Sequence, residues 1–202
     1  MAADLKCRVA REAATLLYFG AEKEYKQAKA KAAETLGSHF LPSNLEVALE
    51  LEKIAEENEG SKRKERLIEM RKEALKIMKI LDAHCPVLIG SVWRGTIKQG
   101  SDIDIAVYSD DPEAIVKILK AENIKVLNTK WTTVNKRGAT FESYHIYAET
   151  LDKYGFEIVV RSQEEFGKKR KCEIFGDEMK GVNTKELEKL IDKNPTQQFI
   201  PS

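Results

Sequence analysis

The sequence has little of what marks secreted, membrane-spanning or polyanion-coating proteins. It contains three cysteines in 202 residues, none at Cys-x-x-Cys spacing, and its net charge is only +1. An odd, scattered set of cysteines argues against a disulfide framework and against a zinc site. No apolar run reaches the roughly 20 residues of a membrane span, and the amino terminus has no apolar signal-peptide block. We therefore expect a cytoplasmic protein with no membrane partner, which meets polyanions only through local basic patches.

The composition is that of a globular protein with a core. Hydrophobic residues make up 42% of the chain and charged residues 33%, which indicates a highly ionic surface. The hydrophobic pattern changes near residue 84, from helical periodicity throughout to a mixture of strand and helix patterns. We expect an α+β protein with an all-helical N-terminal module at residues 1–83 and a mixed-β-sheet domain at residues 84–202.

Capping and turn signals predict where the elements begin and end. Ser43 and Glu46 have the spacing of a capping box, and the Glu59-Gly60 pair is expected to end the helix that they begin. The Leu and Ala faces of the N-terminal helices are candidates for a homodimer interface. The elements expected after residue 84 are helices from about 91, at 112–121 and near 184–191, a hairpin turn at 135–138, and strands at 86–90, 102–108, about 124–132, 140–148 and 155–161.

Two carboxylates on one predicted strand are the most informative feature. Asp102 and Asp104 are two residues apart, and side chains at this spacing on a strand share a face. An acid pair so placed is costly unless a cation or a proton lies between the two groups. Oxygen ligands with room for phosphate favour Mg²⁺. The alternative is a pair of solvent-facing acids on an edge strand, which the apolar neighbours of the pair argue against.

The turn upstream completes a family pattern. Ile89-Gly90-Ser91, a gap of about ten residues and Asp102-Ile103-Asp104 together resemble the DNA polymerase β-like nucleotidyltransferase superfamily. This superfamily includes tRNA CCA-adding enzymes and aminoglycoside nucleotidyltransferases. Its third acid lies between apolar residues, and Glu157 in the segment 155–160 is the best match. The resemblance covers residues 84 to 161.

The resemblance implies a division of roles among these residues. Asp102, Asp104 and Glu157 would be the catalytic and metal-binding acids, holding two Mg²⁺ ions or accepting Mn²⁺, with Glu157 helping to deprotonate an acceptor hydroxyl. An exposed strand glutamate is the alternative interpretation of Glu157. The residues expected to bind nucleotide are Gly90, Ser91, Arg94, Ser101 and Arg161.

Simpler interpretations exist for several of these residues. Gly90-Ser91 is also typical of a strand-to-helix turn, although such a turn exposes N–H groups suited to phosphates. The Arg94 guanidinium suits triphosphate oxygens or a surface ion pair on its helix, and Arg161 suits a phosphate or an acid. His145 is expected to be structural, and the basic run 168–171 to be solvated or to help bind nucleotide or a nucleic-acid acceptor.

The sequence therefore predicts a metal-dependent enzyme that transfers a nucleoside monophosphate from a nucleoside triphosphate, with ATP expected, and releases pyrophosphate. The acceptor stays open between an RNA end, a small molecule and a protein hydroxyl, because fold and metal chemistry do not name a substrate. The alternative function is a nucleotide-binding or regulatory module of the same fold with reduced catalysis.

Overall fold

The computed structural model describes residues 2–136, 139–150 and 154–201. The chain divides into two compact units. The helical unit comprises residues 1–64, 171–178 and 200–202, and the sheet unit comprises residues 65–170 and 179–199. No helix in the described ranges combines the length and apolar character needed to cross a membrane.

The helical unit is built from α1 (Ala2–Tyr18), α2 (Tyr25–Thr35) and the first part of α3 (Asn44–Ile80). Its core is rich in alanine, which allows helices to approach each other closely. The Leu and Ala faces expected at a dimer interface thus pack inside this unit. The buried residues of this core are Val9, Ala10, Ala13, Ala14, Leu17, Ala28, Ala32, Ala33, Val47 and Ile54.

The predicted capping box is confirmed at the start of α3. The Ser43 N–H donates to Glu46 Oε2 (2.7 Å), and the Glu46 N–H donates to Ser43 Oγ (3.1 Å). The predicted break is also found, because Gly60 has φ 54° and ψ −132° within α3. The helix continues beyond this break to Ile80.

The division of the chain falls within α3 and not at the change of pattern near residue 84. Beyond residue 64, α3 contributes Leu67, Met70, Ala74, Ile77 and Met78 to the core of the sheet unit. The change of pattern near residue 84 marks a change in secondary structure. The compact units instead reflect which elements pack against each other, and the second part of α3 packs in the core of the sheet unit.

The sheet unit contains a six-stranded sheet with strand order β3-β4-β5-β2-β1-β6. β2 and β5 are parallel and the other pairs are antiparallel, so the α+β fold with a mixed sheet is confirmed. The strands are β1 (Val87–Ile89), β2 (Ile103–Tyr108), β3 (Lys125–Lys136), β4 (Ala139–Glu149), β5 (Gly155–Arg161) and β6 (Val182–Asn183). Besides the second part of α3, this unit contains the helices α4 (Gly90–Arg94), α5 (Pro112–Ala121) and α6 (Thr184–Lys193).

Strand alternation separates the core from the face that carries the acids. Ile103, Ile105 and Val107 of β2 are fully buried with Ile158 of β5, so the even-numbered residues of β2 lie on the opposite face. β3 and β4 pair antiparallel as a hairpin predicts, while residues 137 and 138 of the expected turn lie outside the described residues. The two-residue strand β6 was not predicted.

Candidate active site

Three carboxylates meet on one face of the sheet. Asp104 on β2 is the register partner of Glu157 on β5, and neighbouring strands lie about 4.8 Å apart. Asp102 lies two residues before Asp104 and therefore shares its face. The sequence assigned these residues to one site, and the parallel pairing of β2 with β5 brings them together.

Two glycines leave the space that the acid side chains occupy. A Cβ on Gly90 would lie 1.9 Å from Asp104 Oδ2, and a Cβ on Gly155 would lie 2.4 Å from Asp102 Oδ1. Gly90 also has a left-handed φ of 69°, a conformation that glycine adopts without steric cost. The Gly90-Ser91 turn is therefore in contact with the Asp104 carboxyl, as the shared site requires. Gly155 is a part of the site that sequence reasoning missed.

Burial and mutual repulsion act on the two aspartates. Burial, followed by the nearby charges of Glu157 and Asp102, raises the pKa of Asp104 to about 7. Burial and the charge of Glu157 also raise the pKa of Asp102, while Lys98 opposes that rise. A site that holds carboxylates at this cost is suited to a cation that would neutralise them. Lys98 is a second member of the site that the sequence did not reveal.

Glu157 is held from the neighbouring strand. Its Oε1 lies 2.6 Å from His145 Nδ1 and accepts a hydrogen bond from the Tyr147 hydroxyl at 3.3 Å. On the other side of the imidazole, Nε2 lies 2.9 Å from Ser143 Oγ. His145 and Tyr147 are two residues apart on β4 and so share the face of the acids. Glu157 is therefore part of a side-chain network and not an isolated strand glutamate.

The acids share a face without forming a closed metal cage. Within the described part of the chain, no three His, Cys, Asp or Glu side chains converge closely enough to hold a metal ion. The donor set nevertheless fits a hard divalent cation, since it consists of carboxylate oxygens, and burial together with their mutual repulsion raises the pKa of Asp104. Asp102, Asp104 and Glu157 are the carboxylates on this face, and their side chains would have to draw closer together to hold such an ion.

A buried arginine fixes the segment that follows Gly90-Ser91. Arg71 of α3 is fully buried. Its guanidinium donates to the carbonyl oxygens of Val92 (3.1 Å), Trp93 (2.8 Å), Pro195 (2.7 Å) and Gln197 (2.9 Å). Burial lowers the pKa of Arg71 to about 10. This residue ties α4 to the segment 195–197 and thereby positions the turn beside the acids.

Arg94 lies in the interior of the sheet unit. Only 4% of the residue is exposed, and its Nη1 donates to the Phe199 carbonyl at 2.8 Å. The guanidinium carbon lies 4.6 Å from the centroid of the Trp93 ring. Arg94 therefore lies on the inward side of α4, in contact with Trp93 and with the Phe199 carbonyl.

The other two predicted nucleotide-binding residues lie in different settings. Ser101 closes a turn, because Lys98 N–H donates to Ser101 Oγ and Ser101 N–H donates to the Lys98 carbonyl, both at 3.0 Å. Arg161 shares the face of Glu157 but lies four residues further along β5, about 13 Å at 3.3 Å per residue. The structure thus places Gly90 beside Asp104, with Ser91 next in the chain, and Arg161 at a distance.

The comparisons with known proteins agree with the pattern of the acids. A sequence model of the nucleotidyltransferase domain matches residues 71–182, more than half of the chain. No curated protein matches the sequence.

Among solved structures, similarity is found to a Cid1 poly(U) polymerase bound to MgATP, with 17% identity and a TM-score of 0.31 over 47% of this chain and 32% of that chain. A cytoplasmic RNA terminal U-transferase is 20% identical, with a TM-score of 0.29 over 58% of this chain and 34% of that chain. The GLD-2/RNP-8 complex gives 11% identity and a TM-score of 0.33 over 60% and 44% of the two chains. This chain spans about a third of the length of the first two proteins.

Proposed function

Because the chain belongs to the nucleotidyltransferase domain family, we propose that it transfers a nucleoside monophosphate from a nucleoside triphosphate to a hydroxyl acceptor. The acceptor oxygen forms a bond to the α-phosphorus while the bond from that phosphorus to the leaving pyrophosphate breaks. The acceptor hydroxyl loses its proton in the same reaction. ATP is the expected donor.

One observation carries this proposal. Asp104 and Glu157 are register partners on parallel strands, with Asp102 on the same face, and burial together with their charges raises the pKa of Asp104 to about 7. A fold that only needed a stable sheet would be more stable with neutral residues at these positions. A bound cation would neutralise the carboxylates and could at the same time bind phosphate oxygens, which would give the arrangement a function.

Each residue has a role in the proposed reaction. Gly90 and Ser91 would bind the triphosphate next to Asp104, because Gly90 already contacts that carboxyl. Glu157 would accept the proton of the acceptor hydroxyl, and His145 would hold its carboxylate in place through the 2.6 Å contact. Preorganised groups of this kind act by positioning and by charge stabilisation.

The metal belongs to the proposal as well. Asp102, Asp104 and Glu157 would hold Mg²⁺, with two ions expected from the family resemblance, or Mn²⁺ in its place. When bound, the ions would neutralise phosphate charge and lower the pKa of the acceptor hydroxyl.

The proposal is tested by incubating the purified chain with each α-³²P-labelled nucleoside triphosphate, Mg²⁺ or Mn²⁺, and a cell extract. We expect label in an acceptor and release of pyrophosphate.

The double variant Asp102→Asn/Asp104→Asn should lose metal-dependent nucleotide binding in calorimetry. Glu157→Gln should keep nucleotide binding but lose transfer by several orders of magnitude. Asp192→Asn, an exposed acid on α6, is the matched control and should behave as the wild type. Unchanged binding in the double variant would contradict the metal assignment.

A second candidate function is a nucleotide-binding or regulatory module with reduced catalysis. The lack of three converging metal donors among the described residues favours this candidate. Tight binding of nucleotide with metal, without label transfer to any component of the extract, would support it over the enzyme.

A further inference from the structure

A cluster of aromatic and basic side chains lies on the sheet face of the acids, at the opposite ends of β2 and β5. Tyr108 and Arg161 are register partners there. The ring of Phe166 lies 5.1 Å from that of Tyr108 in an edge-to-face arrangement, and the Arg170 guanidinium lies 6.0 Å from the Phe141 ring. We call these five residues the distal patch.

The charges of the distal patch are only partly balanced. Arg170 pairs with Glu165 at 2.7 Å, whereas Arg161 is half-buried and lies beside Tyr108, its register partner. No carboxylate within the described ranges lies at salt-bridge distance from Arg161. Burial and the neighbouring charge of Arg170 lower the pKa of Arg161. Two guanidinium groups beside one carboxylate leave a net positive site that an anion would stabilise.

The aromatic members of the distal patch expose their rings. Phe166 is 57% exposed and Phe141 is 36% exposed. Large apolar side chains of this kind beside arginines form the combination that proteins use to bind single-stranded nucleic acid, where rings stack on bases and cations meet the backbone.

The position of the distal patch fits the acceptor better than the donor nucleotide. Gly90 and Ser91 follow β1, on one side of β2, whereas Arg161 belongs to β5, on the other side. The patch lies four residues along the strands from the Asp104–Glu157 pair, about 13 Å. Lys130, opposite His145 in register, adds an exposed positive charge between the two places.

We propose that the distal patch binds a single-stranded nucleic acid whose terminal hydroxyl lies at the acids and serves as the acceptor. This inference rests on the proposed function and adds the class of acceptor to it. Phosphodiester groups would form ion pairs with Arg161 and Arg170, and bases would stack on the rings of Phe166 and Phe141. A small acceptor would leave a patch about 13 Å from the acids without a partner, and an acidic peptide has no bases to stack on the exposed rings.

Fluorescence anisotropy with a labelled 12-nucleotide single-stranded RNA tests the inference at several salt concentrations. Arg161→Ala and Arg170→Ala should each weaken binding about tenfold and reduce the slope of log K against log salt by about one. Phe166→Ala should weaken binding by roughly tenfold with the slope unchanged. Arg161→Lys should keep the slope, which separates loss of charge from loss of fold. Lys117→Ala, an exposed lysine on α5, is the matched control.

Several outcomes would overturn the inference. These are equal binding by all variants, tighter binding of a polyglutamate peptide than of the RNA, and loss of nucleoside triphosphate binding in the Arg161→Ala variant. Transfer of label to a small molecule or protein, with no RNA binding, would remove this inference and leave the proposed function intact. RNA binding that maps to the distal patch, without pyrophosphate release with any acceptor, would support the patch and count against the enzyme.

Discussion

The Asp104 carboxyl has its pKa raised to about 7 because it is buried beside two other acids. A folded-state pKa above that of the unfolded chain means that the folded protein binds more protons. Its contribution to stability is therefore lost as the pH rises from about 4 to about 7. In the metal-free protein, this residue lowers the free energy of unfolding at neutral pH.

We expect Asp104→Asn to be more stable than the wild type at pH 8 by about 1–2 kcal/mol, with a smaller gain at pH 4. Partial exposure keeps this gain below the roughly 4 kcal/mol of a three-unit shift. Urea unfolding in EDTA at both pH values measures the difference, with Asp192→Asn as the control. A gain that does not depend on pH would contradict the assigned cause.

His145 is predicted to position Glu157. Removing the imidazole in His145→Ala leaves the carboxylate without its 2.6 Å partner, so Mn²⁺ affinity measured by electron paramagnetic resonance should fall on the order of 10–100-fold. His145→Gln, whose amide can still donate, should recover part of the loss. Tyr147→Phe removes only the longer 3.3 Å bond and should have the smaller effect. Equal affinity in all four proteins would show that His145 is merely structural.

At the scale of elements, the turn between β1 and α4 depends on Gly90. Gly90→Ala places a Cβ 1.9 Å from Asp104 Oδ2 and also retains a left-handed φ, which costs an alanine about 1–2 kcal/mol. Gly100 has a similar φ of 77° with nothing within 4 Å, so Gly100→Ala isolates the backbone cost.

We therefore expect Gly90→Ala to lose metal-dependent nucleotide binding in calorimetry and to unfold at lower urea concentration than Gly100→Ala. The Gly100→Ala variant should bind nucleotide as the wild type does. Similar effects of the two substitutions would mean that the contact with Asp104 is not needed.

The elements that could be predicted from sequence are those with strong local signals. The capping box at Ser43, the proline-initiated α5 and the alternating strands β2 and β5 all follow from patterns within one segment. The same alternation places Asp102 and Asp104 on one face, whereas Glu157 is assigned from the family resemblance. In contrast, the contacts of Glu157 with His145 and of α4 with Arg71 join distant segments, and no local pattern records them. The burial of Arg94 could not be predicted either. Its position shortly after Gly90-Ser91 suits a phosphate ligand, but α4 directs the side chain into the interior.

At the scale of the whole molecule, self-association through the N-terminal helices stays a proposal. Because their Leu and Ala faces form the core of the helical unit, a homodimer would have to use exposed apolar residues there. Phe19, Phe40 and Leu41 are 69%, 53% and 56% exposed. Sedimentation equilibrium of the double variant Phe40→Ser/Leu41→Ser should then give a monomer where the wild type gives a dimer. Leu127→Ser in β3, 53% exposed, is the control; a monomeric wild type would refute the dimer.

Arg71 also sets an order of events during synthesis. Its partners Trp93 and Pro195 lie 22 and 124 residues away in the sequence, and contacts of such separation form late. A ribosome adding 5–20 residues per second needs roughly 5–20 s to pass from one partner to the other. Once residue 157 has been added, the nascent chain contains all three acids, yet two of the four carbonyls that Arg71 binds, those of Pro195 and Gln197, have still to be made. Nucleotide binding would therefore mature only after translation has passed Gln197.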